Sequence, residues 1–219
     1  SGNKDRTHSW TGNPFLTLYY AAGVDSNLST PVLFEKNTES KFNDGPASFN
    51  EKRDVMYLTR NNSDPANKQD KTVKLKIVET KLVDGKWTSP VDMPFVDKKY
   101  NSAHAWVTKE GDKMFFSSDM PGGYGGMDIY FIKKTNSKWG SPINVGKKIN
   151  TKGNELFPYM NVDTTLYFAS DGLVGIGGLD MFWSKYSDST FSDPVNMGYP
   201  INTHRDDFGL ILDAKGEKG

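Results

Sequence analysis

Two glycine-rich segments of the chain carry aspartates whose type and spacing could bind a cation. The first segment runs from Asp119 to Asp128 and the second from Asp171 to Asp180. Carboxylate oxygens, together with the backbone carbonyls of a tight turn, are ligands that calcium prefers in proteins. One carboxylate per turn is a small ligand set, and aspartate also accepts hydrogen bonds from turn amides in Asx motifs. We therefore predict a structural role for these aspartates, with no metal and no cofactor.

Polar residues in the connections between repeat units form a second group of candidates. Asn154, Glu155, Asp206 and Asp207 lie in connections expected to open on the same face as the glycine-rich segments. Glu155 and Asp207 are the aligned pair of acids that a glycosidase would need in unlike roles. The alternative is that all four side chains cap turns and strand starts. Because most acids recur from unit to unit, the sequence favours the structural role and predicts no enzymatic activity.

His104 and Trp106 are candidates for binding because they depart from the repeat. The other units place different residues at these two positions: Pro46, Leu156 and Phe208 at the first, and Ser48, Pro158 and Leu210 at the second. A site specific to this protein is expected where a repeat is broken. A lone histidine on an inner strand is, however, more often a structural group than a ligand.

Composition disfavours several classes of function. The 219 residues include 27 Lys and Arg and 27 Asp and Glu, so the formal net charge is zero. A zero charge disfavours a nucleic-acid partner and docking on anionic lipid. No apolar run approaches the roughly 20 residues of a membrane span, so we expect no membrane insertion. The chain has no cysteine, and neither a Ser-His-Asp arrangement nor a metal-binding histidine cluster is recognisable.

An internal repeat defines the elements that must position these residues. Asp171 and Asp180 follow Asp119 and Asp128 at a common offset of 52 residues, and many residues after them recur at the same offset. Each unit contains four short segments rich in β-branched and aromatic residues and separated by turn residues. In one unit the predicted strands are about Ala103–Thr108, Lys113–Ser117, Met127–Lys133 and Lys138–Val145.

Four strands per unit of roughly 40–50 residues are typical of a β-propeller blade. We therefore predict an all-β fold, a β-propeller of four-stranded antiparallel blades, with four or five blades in the intact domain. Residues 1–219 would form a single domain, either complete or part of a larger propeller. It would consist of three full units and two half units: 1–43 (half), 44–101, 102–153, 154–205 and 206–219 (half).

Trp87 and Trp139 begin the predicted outer strands, each three residues before a proline. Proline suits an edge strand, because an edge lacks the ladder partner that its missing N–H would need. An exposed aromatic platform for sugars is one interpretation of these tryptophans. A residue that is repeated between units more often solves a packing problem, and we predict that both tryptophans are packed.

The repeat motif resembles that of a known family. Phe116-Ser-Ser-Asp119, then Gly-Gly-Met-Asp-Ile-Tyr130, then Trp139-Gly-Ser-Pro142 and Ile149-Asn-Thr151 are similar to the WD40-like repeat of TolB-type propellers. The form of the motif resembles the propeller of OmpA-family envelope proteins of Bacteroidota.

The resemblance implies a non-catalytic, periplasmic and outer-membrane-associated scaffold that binds envelope or secretion-system proteins, for example in type IX secretion or gliding. Peptidoglycan would be bound only through a flanking module that is not in these residues. The alternative function is a carbohydrate-binding or glycosidase-like propeller that uses the acids at the channel mouth. Clustered exposed tryptophans would favour that alternative, whereas burial of Trp87 and Trp139 would disfavour it.

Overall fold

The computed structural model describes residues 12–13, 15–24, 27–40, 42–62 and 73–212. The outer parts of the two predicted half units, residues 1–11 and 213–219, lie outside the described residues. Strands make up 43% of the structure and helix only 2%. The three large sheets are antiparallel, and each is followed along the chain by the next. The predicted all-β fold of four-stranded blades is therefore confirmed.

Each large sheet has three longer strands and an outer strand in two short pieces. The first sheet contains β5 to β9: Asp44–Phe49, Val55–Asn61, Leu75–Val83, Lys86–Trp87 and Val91–Asp92. The second contains β10 to β14: Ser102–Val107, Lys113–Ser118, Asp128–Thr135, Lys138–Trp139 and Ile143–Asn144. The third contains β15 to β19: Glu155–Met160, Thr165–Ser170, Asp180–Ser187, Thr190–Phe191 and Val195–Asn196.

The outer strand differs from the single strand expected over Lys138–Val145. Both of its pieces, β13 and β14, pair with β12, but the ladder is interrupted between them, where Gly140 N still donates to Lys133 O at 2.9 Å. Pro142 lies in this gap. Proline has no N–H to donate to a ladder, and this explains why the outer strand is interrupted there.

The sheets pack face to face, which buries both sides of their middle strands. On β11, Met114 and Phe116 contact the first sheet, in a cluster with Tyr57 and Ile77. The intervening Phe115 belongs to the cluster shared with the third sheet. Successive side chains of a strand point to opposite faces, so consecutive aromatic residues are the expected pattern for a strand between two sheets.

Every inner strand contains a register shift near its start. In β10 the shift lies between Ala103 and Trp106, and β5 and β15 carry equivalent shifts. His104 has φ 55° and Phe157 has φ 51°, so both lie in the left-handed region inside these irregular segments. A β-bulge bends a strand and redirects its side chains, and here it turns both rings toward the strands of the neighbouring units.

The pairing also corrects one part of the sequence alignment. Trp106 pairs with Phe115 as Tyr159 pairs with Tyr167, so Tyr159 is the structural equivalent of Trp106 and Pro158 is not. His104 is likewise equivalent to Phe157 and not to Leu156. The physical reason is a turn: five residues join β10 to β11, but only four join β15 to β16.

Short elements flank the three sheets. Tyr19–Tyr20 (β1) pairs with Val32–Leu33 (β4), and between them Gly23–Val24 (β2) pairs with Asn27–Leu28 (β3). At the other end, residues 208–212 form no ladder with another described strand. Within the described residues, no helix has the length and apolarity that crossing a bilayer requires.

Candidate functional site

The aspartates at the start of the glycine-rich loops bind the chain just before the inner strand of the same sheet. Asp171 Oδ1 accepts a hydrogen bond from Asn154 N at 2.6 Å, and its Oδ2 accepts one from Asn154 Nδ2 at 2.8 Å. Asp119 accepts the same pair of bonds from Asn101. Because both carboxylate oxygens have a backbone or amide donor, these aspartates serve as loop anchors.

The residue that each anchor holds also reaches back to the preceding sheet. Asn154 Oδ1 accepts a hydrogen bond from Met127 N at 3.0 Å, at the entrance to β12. We call this contact between a connection residue and the preceding sheet the inter-sheet clasp. It recurs in the structure with different side chains, and the acceptor and donor pairs are Asn43 with Leu16, Asn101 with Leu75, and Asp206 with Leu179.

The aspartates at the end of the glycine-rich loops are buried. Asp128 Oδ2 accepts hydrogen bonds from Tyr124 N at 2.6 Å and from Asn144 Nδ2 at 2.9 Å. Asp180 Oδ2 accepts bonds from Ile176 N and Gly177 N. The Oδ1 atoms of both aspartates have no hydrogen-bond partner among the described residues. Among all the residues that the structure describes, no three His, Cys, Asp or Glu side chains are grouped so that they could hold a metal ion.

Glu155 and Asp207, the candidate glycosidase pair, each bind a threonine four residues earlier. Glu155 is fully buried and accepts bonds from Thr151 N at 2.9 Å, Thr151 Oγ1 at 2.6 Å and Ser170 Oγ at 2.8 Å. Asp207 accepts bonds from Thr203 N at 2.6 Å and Thr203 Oγ1 at 3.2 Å. Burial raises the pKa of Glu155 more than these hydrogen bonds lower it. The structure therefore gives Glu155 internal partners and no solvent-facing oxygen.

The bulged inner strands line a groove of about 550 Å³. His104 and Trp106 both lie in it, so the structure brings these two candidates together and separates them from the acids. Trp106 meets Tyr159 edge-on, with ring centroids 5.6 Å apart. The rest of the lining is apolar or weakly polar and comes from the inner strands and the last described segment: Pro46, Ala47, Ser48, Phe49, Ala105, Phe157, Pro158, Phe208, Gly209, Leu210 and Ile211.

The aromatic residues Phe157, Tyr159 and Phe208 belong to the groove, and sequence reasoning did not select them. The His104 ring stacks on Phe157 at 3.8 Å, and Phe157 stacks in turn on Phe208 at 4.7 Å. Alternating aromatic residues at 157 and 159 were the signal that could have identified them. The shorter turn between β15 and β16 obscures that signal, because it shifts the repeat offset at the inner strand by one residue.

His104 is held as a neutral ring. Its backbone N–H donates to Thr59 Oγ1 at 2.9 Å, whereas its side-chain Nδ1 has no partner among the described residues. Burial lowers the pKa of His104 from 6.5 to about 4. A ring that cannot protonate easily and stacks on a phenylalanine acts in this groove as an aromatic surface.

Replacing His104 by phenylalanine should reduce the loss of stability in mild acid. The unfolded histidine protonates near pH 6.5 and the folded one only near pH 4, so protons favour the unfolded state between these values. Stability should therefore fall by up to about 3 kcal/mol more in the parent protein than in the variant between pH 7 and pH 4. Phenylalanine already adopts this backbone conformation at Phe157, where φ is 51°.

Urea unfolding of both proteins across this pH range provides the measurement. Glu155 is present in both, so the difference between the two curves isolates His104. Parallel curves would show that His104 protonates equally easily in the folded and unfolded protein.

The repeated tryptophans are packed rather than clustered in solvent. Trp87 is buried against Phe34 and Phe49, with ring centroids 5.6 and 6.0 Å away. Trp139 is half-buried and contacts Tyr57, while the ammonium of Lys134 lies 4.5 Å from its ring centroid. These positions are those expected for packing residues. The two tryptophans therefore do not form an exposed aromatic surface on which a sugar could stack.

The chain matches no protein-family model and no curated protein. Among solved structures, it is similar to TolB from Acinetobacter baumannii, with 11% identity and a TM-score of 0.53 over 87% of this chain and 39% of TolB. It also resembles the putative TolB from Agrobacterium tumefaciens, with 13% identity and a TM-score of 0.48 over 78% and 53% of the two chains.

A third similar structure is the periplasmic gluconolactonase PpgL from Pseudomonas aeruginosa, with 10% identity and a TM-score of 0.48 over 91% of this chain and 55% of that protein. The chain thus spans less than two thirds of the length of each of these proteins. At such low identities the likeness concerns the fold. The chain has the fold of a TolB-type β-propeller.

Proposed function

We propose that this chain is a non-catalytic protein-interaction scaffold of the cell envelope. The observation that carries the proposal is that the acids and the aromatic residues described above lie in different environments. The repeated acids form internal hydrogen bonds, whereas the non-repeated His104 and Trp106 line an open groove with other aromatic residues. A groove with several aromatic faces and few charges suits an apolar segment of a protein partner.

The groove favours an extended segment with apolar or proline side chains as its occupant. Two aromatic pairs, His104 with Phe157 and Trp106 with Tyr159, provide flat walls along the inner strands. Aromatic-lined grooves are a common receptor for extended, proline-rich segments because such segments lose little conformational entropy on binding. Phe208 and Ile211 are 54% and 70% exposed and extend the apolar wall to the surface.

The cellular setting that we propose is the periplasm, in association with the outer membrane. The support is the TolB-type fold together with the motif resemblance to OmpA-family envelope proteins of Bacteroidota. Within that group we propose a relationship to PorE, a component of type IX secretion and gliding machinery. The partners would then be envelope or secretion-system proteins, with peptidoglycan bound only by a separate module.

Site-specific crosslinking in the native host tests the proposal. A photoreactive benzoyl-phenylalanine in place of Trp106 should crosslink to a discrete envelope protein, because the groove is the proposed contact. The same residue in place of Val91, which is 67% exposed on β9 and does not line the groove, is the control and should give no such adduct. Capture should survive muramidase digestion, since the proposed partner is a protein.

An independent variant protects this test against a folding defect. Ile211→Asp changes an exposed groove residue and should reduce recovery of the same partner by about tenfold without lowering thermal stability. If Trp106 gives only glycan adducts, or if the control position captures the same proteins, the scaffold proposal is wrong. Loss of glycan binding in Glu155→Gln or Asp207→Asn would instead establish the carbohydrate alternative.

A further inference from the structure

A small cleft lies between the second and third sheets, at the end opposite the glycine-rich loops. It has a volume of about 90 Å³ and does not overlap the groove. Its floor is aromatic, and two lysines lie at its rim. The lining residues are Lys113, Phe115, Phe131, Lys133, Met160, Thr164, Tyr186 and Phe191.

The equivalent place between the first and second sheets is filled by the protein's own side chains. There Lys134 donates a hydrogen bond to Tyr57 Oη at 3.2 Å and lies over the ring of Trp139. In the cleft, the residues equivalent to Lys134 and Trp139 are Tyr186 and Phe191, one repeat later. The cleft therefore lacks the ammonium group that Lys134 places between the first and second sheets, and space remains between the aromatic residues of the cleft.

The charges at the two places differ in the same way. Lys81, in the first sheet, pairs with Glu79 at 3.1 Å, whereas the residue equivalent to Glu79 in the second sheet is Phe131. Lys113 and Lys133 lie directly opposite each other across β11 and β12. Like charges in opposite positions repel each other and destabilise a sheet.

No carboxylate of the described residues forms an ion pair with Lys113 or Lys133. Two acids that neighbour cleft residues in the sequence, Asp112 beside Lys113 and Asp163 beside Thr164, have other partners. Asp112 accepts a hydrogen bond from Thr108 Oγ1 at 2.8 Å, and Asp163 pairs with Lys185 at 2.9 Å. The cleft thus presents two ammonium groups that have no carboxylate partner among the described residues, and that of Lys133 lies 5.5 Å from the centroid of the Phe131 ring in the aromatic floor.

We propose that this cleft binds an acidic segment of a partner protein, with a carboxylate between Lys113 and Lys133 and a neighbouring apolar side chain against Phe115 and Phe191. The inference rests on the proposed function as a protein-interaction scaffold and adds the chemistry of a second contact. A carboxylate would supply the negative charge that Glu79 supplies in the first sheet. Charge-assisted hydrogen bonds to two lysines would make this contact selective for acidic over neutral segments.

Titration of the ¹⁵N-labelled chain with an acetylated, amidated pentapeptide Ser-Glu-Phe-Glu-Ser tests the proposal. Saturable amide shifts are expected at Lys113, Lys133, Thr164 and Tyr186, the residues that surround the cleft. The same peptide with glutamines in place of both glutamates should bind about tenfold more weakly. The double variant Lys113→Gln/Lys133→Gln should show a similar loss.

The matched control is Lys147→Gln/Lys152→Gln, which removes the same charge from two exposed lysines in the connection between the second and third sheets, outside the cleft. It should bind the acidic peptide as the parent chain does. An equal loss in both double variants, or shifts confined to other surfaces, would show non-specific charge attraction and overturn the proposal. The groove variant Ile211→Asp should leave this titration unchanged, so failure of the cleft and failure of the groove are separable.

Discussion

Replacement of Gly125 or Gly177 by alanine is expected to lower the free energy of unfolding by about 3 kcal/mol. Both glycines lie where a glycine-rich loop packs directly on the connection to the next unit. A Cβ at Gly125 would overlap Thr151 O and lie 2.5 Å from the carbonyl carbon of Lys152. A Cβ at Gly177 would overlap the main chain of the following connection in the same way. The obstacle is backbone, so it cannot move aside as a flexible side chain would.

Urea unfolding monitored by tryptophan fluorescence would measure this loss. The matched control is Gly140→Ala, because the atom nearest to a Cβ at Gly140 is Lys133 O at 3.4 Å. Alanine there should change stability by less than about 1 kcal/mol. Equal stabilities of Gly125→Ala and Gly140→Ala would show that the loop is not held against the connection as described.

Replacement of Glu155 by alanine should lower the free energy of unfolding by about 4 kcal/mol. The change leaves a cavity at a fully buried position and removes the acceptor of three hydrogen bonds from Thr151 and Ser170. Glu155→Gln should cost far less, since its amide oxygen can accept from Thr151 N while the hydroxyls rotate to accept from its amide group.

The pH dependence provides a second readout of the same pair of variants. The pKa of Glu155 is raised above its ordinary 4.5 by burial, so the folded protein binds this proton more tightly than the unfolded protein. The contribution is fully present below pH 4.5 and is lost as the pH rises through the folded value. Relative to Glu155→Gln, the parent protein should therefore gain stability on acidification.

An exposed acid gives the control for both measurements. Glu110→Ala, in the turn between β10 and β11, should change stability by less than about 0.5 kcal/mol. If Glu155→Ala proved as stable as Glu110→Ala, the buried position of Glu155 would be wrong. If Glu155 were catalytic, Glu155→Gln would instead lose activity while its stability changed little.

Much of the fold could be predicted from sequence because the repeat combines two independent signals. The constant offset from Asp119 to Asp171 aligns the glycine-rich loops, and adjacent aromatic residues such as Phe115 and Phe116 indicate strands buried on both faces. These signals depend on spacing and residue type, which sequence records directly. They were sufficient to predict four-stranded antiparallel blades.

The groove was only partly predictable, for reasons of local geometry. His104 and Trp106 stand out in the sequence because they break the repeat, whereas Phe157 does not, because a turn shortened by one residue shifts the offset at the inner strand. The clasp of Asn154 with Met127 N joins two sheets, and the distance between sheets is not encoded in residue spacing. For the same reason, sequence did not reveal that Lys134 fills one cleft while its equivalent leaves the next one open.

The inter-sheet clasp has a consequence for how the chain loses its structure. The residue that closes each glycine-rich loop belongs to the next unit, as Asp206 closes onto Leu179 N. Removing one unit therefore removes the hydrogen bond that holds the glycine-rich loop of the preceding unit. The free energies of unfolding of neighbouring units are thus coupled, as in a one-dimensional array. Unfolding of one unit should therefore destabilise the adjacent unit, so that unfolding proceeds from unit to unit along the chain. Units could be exchanged between related propellers without loss of function only if each glycine-rich loop were transferred together with the following connection. That connection carries the residue that forms the inter-sheet clasp with the loop.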